Sequence, residues 1–149
     1  MKKYFDILLI AAIITFPVSL FSQPDVYKYI GKSQSQLTKA LGKPAYIDKS
    51  NSSMIMIFYR SSSLNRSFVA DGNGIYQAEA TQSFESENSC KATVSEFISD
   101  LNVQGFSVDT VSISEFNCGK PGVTCTLSYG FNDLTKKYSI YVTAHRKEK

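Results

Sequence analysis

The sequence predicts an α+β fold, in which an antiparallel β-sheet carries two helices on one face. Two segments combine helix caps with a helical apolar stripe, and later segments alternate apolar and polar residues with a period of two. The chain also has nine Tyr and ten Phe but no Trp, and aromatic side chains favour the half-buried surface of a sheet. Because helix stripes and the apolar sheet face must bury one another, both helices are expected on the same side.

Residues 1–22 have the pattern of a secretory signal peptide, in which two lysines precede an apolar run at 7–18 and then small residues. We expect cleavage near Ser22 and Gln23, and a secreted or periplasmic location. The apolar run is shorter than the roughly 20 residues of a bilayer-spanning helix. An uncleaved membrane anchor is the alternative.

Residues 23–149 are long enough for a single α+β domain with its own core. Segments 30–82 and 88–145 share the order helix, strand, strand, strand, so they are candidate sub-repeats of one αβββ unit. The pattern fits either a tandem repeat or one sheet backed by two helices. The net charge of +3 is too small and too evenly spread for a nucleic-acid-binding surface.

The first helix is marked at both ends. Ser33 and Gln36 have the spacing of a capping box, Gly42 stands where the chain must leave the helix, and Pro44 prevents its resumption. The predicted helix has two turns. Its shared face comprises Leu37, Ala40 and Leu41.

Strands and a loop are expected between the two helices. Residues 48–53 are interpreted as a polar loop. Residues 54–59 are apolar on both faces, which is typical of a strand covered on two sides or of a short buried run. The turn sequence at 71–74 separates strands at 68–70 and 75–81.

The second helix has the clearest pattern. Asn88 or Ser89 is expected as its N-cap, and Gly105 as its end. Apolar residues recur on one stripe of an amphipathic helix. That stripe comprises Cys90, Val94, Phe97, Ile98 and Leu101.

Three strands are expected after this helix. Residues 123–131 and 138–145 alternate strictly, which indicates an antiparallel sheet with one wet face. In residues 106–116 the apolar residues switch between even and odd positions. A bulge near 112–115 would place both sets on one face of the strand.

The three cysteines allow at most one intramolecular disulfide. A turn at Pro121–Gly122 places Cys118 opposite Cys125, within reach of a disulfide, and export favours oxidation. A disulfide that closes so short a loop would stabilise the fold by about 2 kcal/mol or less. Cys90 is either a buried free thiol or a competing partner, because a helix antiparallel to the next strand would begin near Cys118. The chain has no Cys-x-x-Cys pair and one His, so no metal site is expected.

A polar surface is predicted on the wet face of the last strands, which pair around residues 132–137. A Tyr among Ser and Thr residues is typical of an adaptable recognition surface, although an ordinary solvated face has the same composition. A catalytic triad of Ser128, His145 and Glu115 is not expected, because His145 falls opposite Thr124 and too far from Ser128. The candidate binding residues are Glu115, Asn117, Thr126, Ser128, Tyr141, Thr143 and His145.

Residues 30–75 carry a series of helix-stop and turn signals. In order they are Ile30-Gly31, Leu41-Gly42-Lys43-Pro44, Phe58-Tyr59 and Gly72-Asn73-Gly74-Ile75. The series resembles the SmpA/OmlA family of small outer-membrane assembly lipoproteins and the β-lactamase-inhibitor-like domains that share its layout. The resemblance implies a short helix followed by a β-meander, and a binding role rather than catalysis. No cysteine here matches the lipid-modified cysteine of the assembly lipoproteins, whereas a tandem arrangement is more similar to the inhibitor proteins.

Together these features predict an exported, non-catalytic protein-binding domain of the cell envelope or secreted fraction. A more specific version of this prediction is an inhibitor of a secreted hydrolase. The expected partner is a protein, with no cofactor and no nucleic acid. The membrane would be involved only through an uncleaved leader. One alternative is a small-ligand carrier with a pocket lined by Met54, Met56 and Phe97, and another is a small secreted hydrolase.

Overall fold

The computed structural model describes residues 23–147, so the predicted signal peptide lies outside the described residues. A short 3₁₀ helix at Val26–Tyr29 comes first. The following elements are α1 (Gln34–Leu41), β1 (Tyr46–Asn51), β2 (Met54–Arg60), β3 (Leu64–Asp71), β4 (Gly74–Phe84), α2 (Glu87–Val103), β5 (Ser107–Ser112), β6 (Glu115–Lys120), β7 (Val123–Asn132) and β8 (Lys137–Arg146).

The eight strands form one antiparallel sheet in the order β1-β2-β3-β4-β8-β7-β6-β5. Each half of the chain contributes a helix and then a four-stranded meander. The last strands of the two meanders, β4 and β8, pair in the middle of the sheet, with Ala80 opposite Val142. The first strands, β1 and β5, form its edges. The predicted α+β class with an antiparallel sheet is confirmed.

Both helices and the 3₁₀ helix bury side chains against one face of the sheet. Leu37 of α1 and Phe97 of α2 belong to a single buried cluster. Tyr27 of the 3₁₀ helix packs edge-on against Phe97 and Phe106, with ring centroids 5.6 and 5.1 Å apart. Edge-to-face packing of this kind stabilises aromatic clusters. The predicted stripe of α2 is buried at Cys90, Val94, Phe97 and Leu101 and half-buried at Ile98.

The predicted capping box of α1 is confirmed. The Ser33 hydroxyl accepts from the Gln36 N–H, and the Gln36 side chain accepts from the Ser33 N–H. Gly42 follows the helix with φ +79°. The predicted apolar face is narrower than expected, because Leu37 is buried, Leu41 is half-buried and Ala40 is exposed.

The predicted loop at 48–53 was wrong, because β1 occupies most of that segment and pairs with β2. Apart from Tyr46, its outward residues are polar, as is common for an edge strand that must avoid further pairing. Ile47, which pairs with Ile57, is the single residue of β1 packed on the core. Such a strand leaves almost no apolar alternation in the sequence.

The predicted single strand at 106–116 was also wrong. The chain reverses at Ile113 and Ser114, so the segment forms two strands, β5 and the start of β6, and the change of parity marks a hairpin turn. The N-cap of α2 was misplaced as well. It is Ser86, whose hydroxyl accepts from the Ser89 N–H.

Candidate functional site

The face of the sheet turned away from the helices is the candidate site, and we call it the open face. It consists of alternate residues from all eight strands. Every predicted binding residue lies on it, because Ser128 is placed opposite Glu115 on one side and Tyr141 on the other. Thr126 likewise stands opposite Asn117 and Thr143.

The structure does not assemble the hydrolase triad. His145 stands opposite Thr124, whereas Ser128 stands opposite Tyr141. Four residues along a strand correspond to about 13 Å. A nucleophile and its base must be within hydrogen-bond distance. Ser128 and His145 therefore cannot act together as nucleophile and base.

The open face continues from the predicted residues into the first half of the chain. Thr81 lies opposite Tyr141 and Glu79 lies opposite Thr143, through the pairing of β4 with β8. Beyond them is a shallow groove of about 420 Å³. Its open-face side chains are Phe58, Arg60, Asn65, Ser67, Glu79 and Thr81. Sequence reasoning missed this extension, because β4 and β8 are far apart in the chain.

The far end of the open face, near the β1 edge, is aromatic and apolar. Tyr46 stacks on Phe58 with ring centroids 5.9 Å apart and planes inclined by 27°, and Tyr46 is 61% exposed. Met56 lies opposite Val69 on the same face. The strand β2 is therefore apolar on both faces because one face lies in the core and the other belongs to the open face.

The predicted ligand pocket of Met54, Met56 and Phe97 does not exist. Met56 is on the open face, because its neighbour Ile57 pairs with Phe68 in the core. Phe97 lies within that core on the opposite side of the sheet, and Met54 is exposed at the end of β2.

Tyr141 is the most prominent aromatic residue in the second half of the open face. It is 37% exposed. Its hydroxyl oxygen accepts from Asn132 Nδ2 at 2.9 Å. This bond fixes the ring, so a partner binding to it loses little side-chain entropy.

The cysteine register is as predicted. Cys118 lies directly opposite Cys125, and Gly122 in the intervening turn has φ +85°. The three cysteines are buried free thiols in this structure, so the expected bridge is not formed. Burial raises the pKa of Cys118 to about 11, and burial together with the neighbouring Cys118 raises the pKa of Cys125 to about 12. Both side chains are therefore protonated and weakly nucleophilic at neutral pH.

Cys90 is far from this pair, contrary to the expected proximity. The carbonyl of Gln104, at the C-terminal end of α2, accepts from Lys120 Nζ at 3.4 Å. Cys90 lies in the first turn of α2, and fourteen residues of helix extend about 20 Å. The expectation failed because the chain reverses after β5, which returns Cys118 to the end of α2 rather than to its start.

The carboxylate of Asp100, in α2, has structural partners. Asp100 accepts from the Tyr27 hydroxyl at 2.5 Å and pairs with Lys28 at 3.3 Å. Partial burial raises the pKa of Asp100, but these two contacts outweigh it and the net shift is downward. Burial, together with the same hydrogen bond, raises the pKa of Tyr27. Among the described residues, no group of three or more His, Cys, Asp or Glu side chains could hold a metal ion.

A second concavity, which we call the turn groove, lies at the end of the sheet where β6 turns into β7. It has a volume of about 880 Å³. Arg146 at its margin is paired with Asp71 at 2.6 Å. The lining residues are Ile30, Gly31, Pro121, Gly122, Val123, Arg146 and Lys147.

Comparison with known proteins gives little further information. No protein-family model matches the chain, and no curated protein matches it. A solved structure, a cysteine-rich secretory protein from Staphylococcus aureus, is similar with a TM-score of 0.49 and 12% identity over 84% of this chain. The chain spans 48% of that protein. Within residues 23–147, neither helix combines the length and apolarity needed to cross a membrane.

Proposed function

We propose that this chain is an exported, non-catalytic protein-binding domain that uses its open face. The observation that carries the proposal is an eight-stranded sheet with its helices on one face only. On the other face, a groove lies between an aromatic stack and a row of hydroxyl side chains.

The size of the open face suits a protein partner. Seven inter-strand spacings span about 34 Å, and six residues of a strand span about 20 Å. The resulting area, roughly 700 Å², is close to the roughly 800 Å² that each partner contributes to a standard interface.

The open face also offers suitable anchors. Tyr46 and Phe58 present aromatic rings near the β1 edge of the open face, and Tyr141 presents one near its middle. Aromatic residues dominate the energetics of protein interfaces. Arg60 and Glu79 supply opposite charges at the groove between them. In the sharper version of the proposal, suggested by the resemblance to inhibitor proteins, the partner is an exported hydrolase.

Affinity capture tests this proposal. The mature protein is immobilised, proteins of the envelope and culture fluid are captured, and the affinity of the captured partner is measured for Tyr46→Ala and Tyr141→Ala. We expect each substitution to weaken binding at least tenfold, because an interface anchor contributes about 1.4 kcal/mol or more.

Val103→Ala is the matched control, because Val103 is 79% exposed at the end of α2 and away from the open face. It is expected to bind like the unmodified protein. If both tyrosine variants also bind with unchanged affinity, the open face is not the binding surface.

Export and the disulfide belong to the same proposal. Intact-mass measurement of the native protein should give a chain that begins near Gln23 and lacks two hydrogens. Peptide mapping should then assign the bridge to Cys118 and Cys125, which the register already places opposite each other. A retained leader with three alkylatable thiols would contradict this part.

A small-ligand carrier is the second candidate, because the turn groove has an apolar floor and basic residues at its margin. That combination suits an amphipathic anion. Dansyl-undecanoic acid is a convenient probe, and its fluorescence should rise on binding and fail to rise with Val123→Asp. An unchanged signal with the unmodified protein would exclude this site for acyl anions.

A further inference from the structure

We infer that the end of the sheet at which β7 turns into β8 docks on a lipid bilayer surface through three apolar side chains, Ile113, Phe131 and Leu134. We call these three residues the apolar tip. The inference goes beyond the proposed function; it rests on the export in that proposal but not on binding by the open face, because the apolar tip lies outside the open-face groove.

The exposure of the apolar tip is unusual for its position. Ile113 is 90% exposed in the β5–β6 turn, Leu134 is 95% exposed in the β7–β8 turn, and Phe131 is 51% exposed beside it. Turns of this kind normally carry Gly, Asn, Asp, Ser or Pro. Ile113 and Phe131 line one shallow hollow of about 260 Å³. Adjacent exposed apolar residues with a polar rim mark interaction sites with proteins or membranes.

The β7–β8 turn holds Leu134 outward. The Asn132 side-chain oxygen accepts from the N–H groups of Leu134 and Thr135 at 3.0 and 3.2 Å. Lys136 adopts φ +56°, and its N–H donates to the Asn132 carbonyl at 2.8 Å. A backbone tied in this way keeps Leu134 presented to solvent instead of letting it fold back on the sheet.

The charges around the apolar tip favour a lipid surface over a strongly charged partner. Three lysines surround it, and each is matched by a carboxylate. The pairs are Lys91–Glu87 at 2.6 Å, Lys136–Asp133 at 3.7 Å and Lys137–Glu85 at 2.6 Å. A rim of balanced charge suits a zwitterionic headgroup layer, and long lysine stems can reach its phosphates while the apolar tip enters the acyl boundary.

The predicted leader would bring the same end of the sheet towards the bilayer during export. The Gln23 carbonyl accepts from Arg66 Nη2 at 3.0 Å, near the start of β3. The chain then runs to the opposite end of the sheet, where the Gly31 N–H donates to the Ile75 carbonyl. Gln23, the first described residue, therefore lies at the end of the sheet that carries the apolar tip.

A tryptophan reporter tests the inference, because the chain has no Trp of its own. Leu134→Trp is compared with Val103→Trp in the full chain, with vesicles of zwitterionic phosphatidylcholine that contain or lack bromine on their acyl chains. Val103 is the matched control, because α2 places it about 24 Å from the end at which the helix begins. We expect the emission of the Leu134→Trp variant to shift to the blue and to lose at least half of its intensity with brominated lipid. The emission of the Val103→Trp variant should change little.

A second variant separates lipid docking from other occupants. Ile113→Ser with Leu134→Ser should reduce vesicle binding of the mature protein at least tenfold and leave the thermal unfolding curve in place, because these side chains are exposed. No quenching of the Leu134→Trp variant, or equal quenching of both reporter variants, would overturn the inference. So would a concentration-dependent dimer that the double serine variant abolishes. Partner capture through the open face is measured on the same double variant and should be unchanged, so failure of one proposal does not imply failure of the other.

Discussion

The two halves of the molecule have the same order of elements but different helical cover. The first half, α1 to β4, has an eight-residue helix that buries Leu37 alone. The second half, α2 to β8, has a seventeen-residue helix that buries four side chains. Both halves nevertheless supply four strands to one sheet, so the two halves match in their strands and differ in their helices.

The first half compensates for its short helix with aromatic packing. Phe68 is contacted edge-on by Tyr29 at 5.6 Å and by Tyr59 at 6.0 Å. The Tyr59 hydroxyl also donates to the Gly42 carbonyl at 3.2 Å, at the end of α1. The comparison shows that rings from the 3₁₀ segment and the sheet can replace several turns of helix.

The largest expected effect is a core substitution in either helix. Phe97→Ala should lower the free energy of unfolding by about 3–5 kcal/mol and Leu37→Ala by about 2–5 kcal/mol, because each leaves a cavity in a buried cluster. Since β4 pairs with β8, both variants should unfold in one urea transition by circular dichroism and tyrosine fluorescence. Two separate transitions would show that the halves are independent units.

Alkaline pH should expose a second difference, because all three cysteines lie in the second half. The folded-state pKa values of Cys118 and Cys125, about 11 and about 12, exceed the unfolded value of about 8.5. The contribution of these two thiols to the free energy of unfolding is therefore fully present below about pH 8.5. It falls as pH rises towards the folded-state values, by up to about 1.4 kcal/mol per pH unit for each thiol.

Urea unfolding of the reduced protein between pH 8 and 10.5 measures this effect. Oxidised protein with the Cys118–Cys125 bridge is the control, because it should lack this part of the decline. The raised pKa of Tyr27 acts in the same direction above pH 10 in both forms. Equal slopes for both forms would mean that the two thiols do not titrate differently on folding.

The helix caps should give a smaller effect. Ser33→Ala removes the hydroxyl that accepts from the Gln36 N–H in α1, and Ser86→Ala removes the hydroxyl that accepts from the Ser89 N–H in α2. Each should cost about 0.5–2 kcal/mol. We expect the loss at Ser86 to be the larger one, because its hydroxyl also hydrogen-bonds to the Ser89 hydroxyl at 2.9 Å, whereas Ser33→Ala keeps the backbone N–H that donates to the Gln36 side chain. Thermal unfolding compares the two variants directly, and a larger loss at Ser33 would contradict this ranking.

The smallest expected effect concerns stability at the open face. Tyr46→Ala and Tyr141→Ala should each change the free energy of unfolding by no more than about 0.5 kcal/mol, as for other exposed sites. Partner affinity should fall for both. A loss of stability above about 2 kcal/mol, which is typical of a buried large-to-small substitution, would show that the ring mainly supports the fold.

The sequence predicts those parts of the fold whose signals are local. The capping box of Ser33 and Gln36, the stripe of α2 and the register of Cys118 with Cys125 each depend on residues a few positions apart. The binding residues of the second half are placed on one face for the same reason, because strict alternation around a known loop fixes the register.

The rest depends on contacts between distant segments. The strand β1 has few apolar residues and is specified by its partner β2. The reversal at Ile113 and Ser114 lacks a strong turn signal such as Asn-Gly, so the parity change there resembles a bulge. The pairing of β4 with β8, which joins Thr81 to Tyr141 across the open face, leaves no local pattern in either strand.

The central pairing of β4 with β8 has a consequence for the newly made chain. Whether the polypeptide emerges from a ribosome or a translocation pore, its amino-terminal half is complete while β8 is still to come. During that interval one side of β4 presents unpaired backbone groups, which are a template for aggregation with other copies. Premature termination before Lys137 would make this exposure permanent, so the ten residues of β8 complete the backbone pairing that protects β4 from other copies.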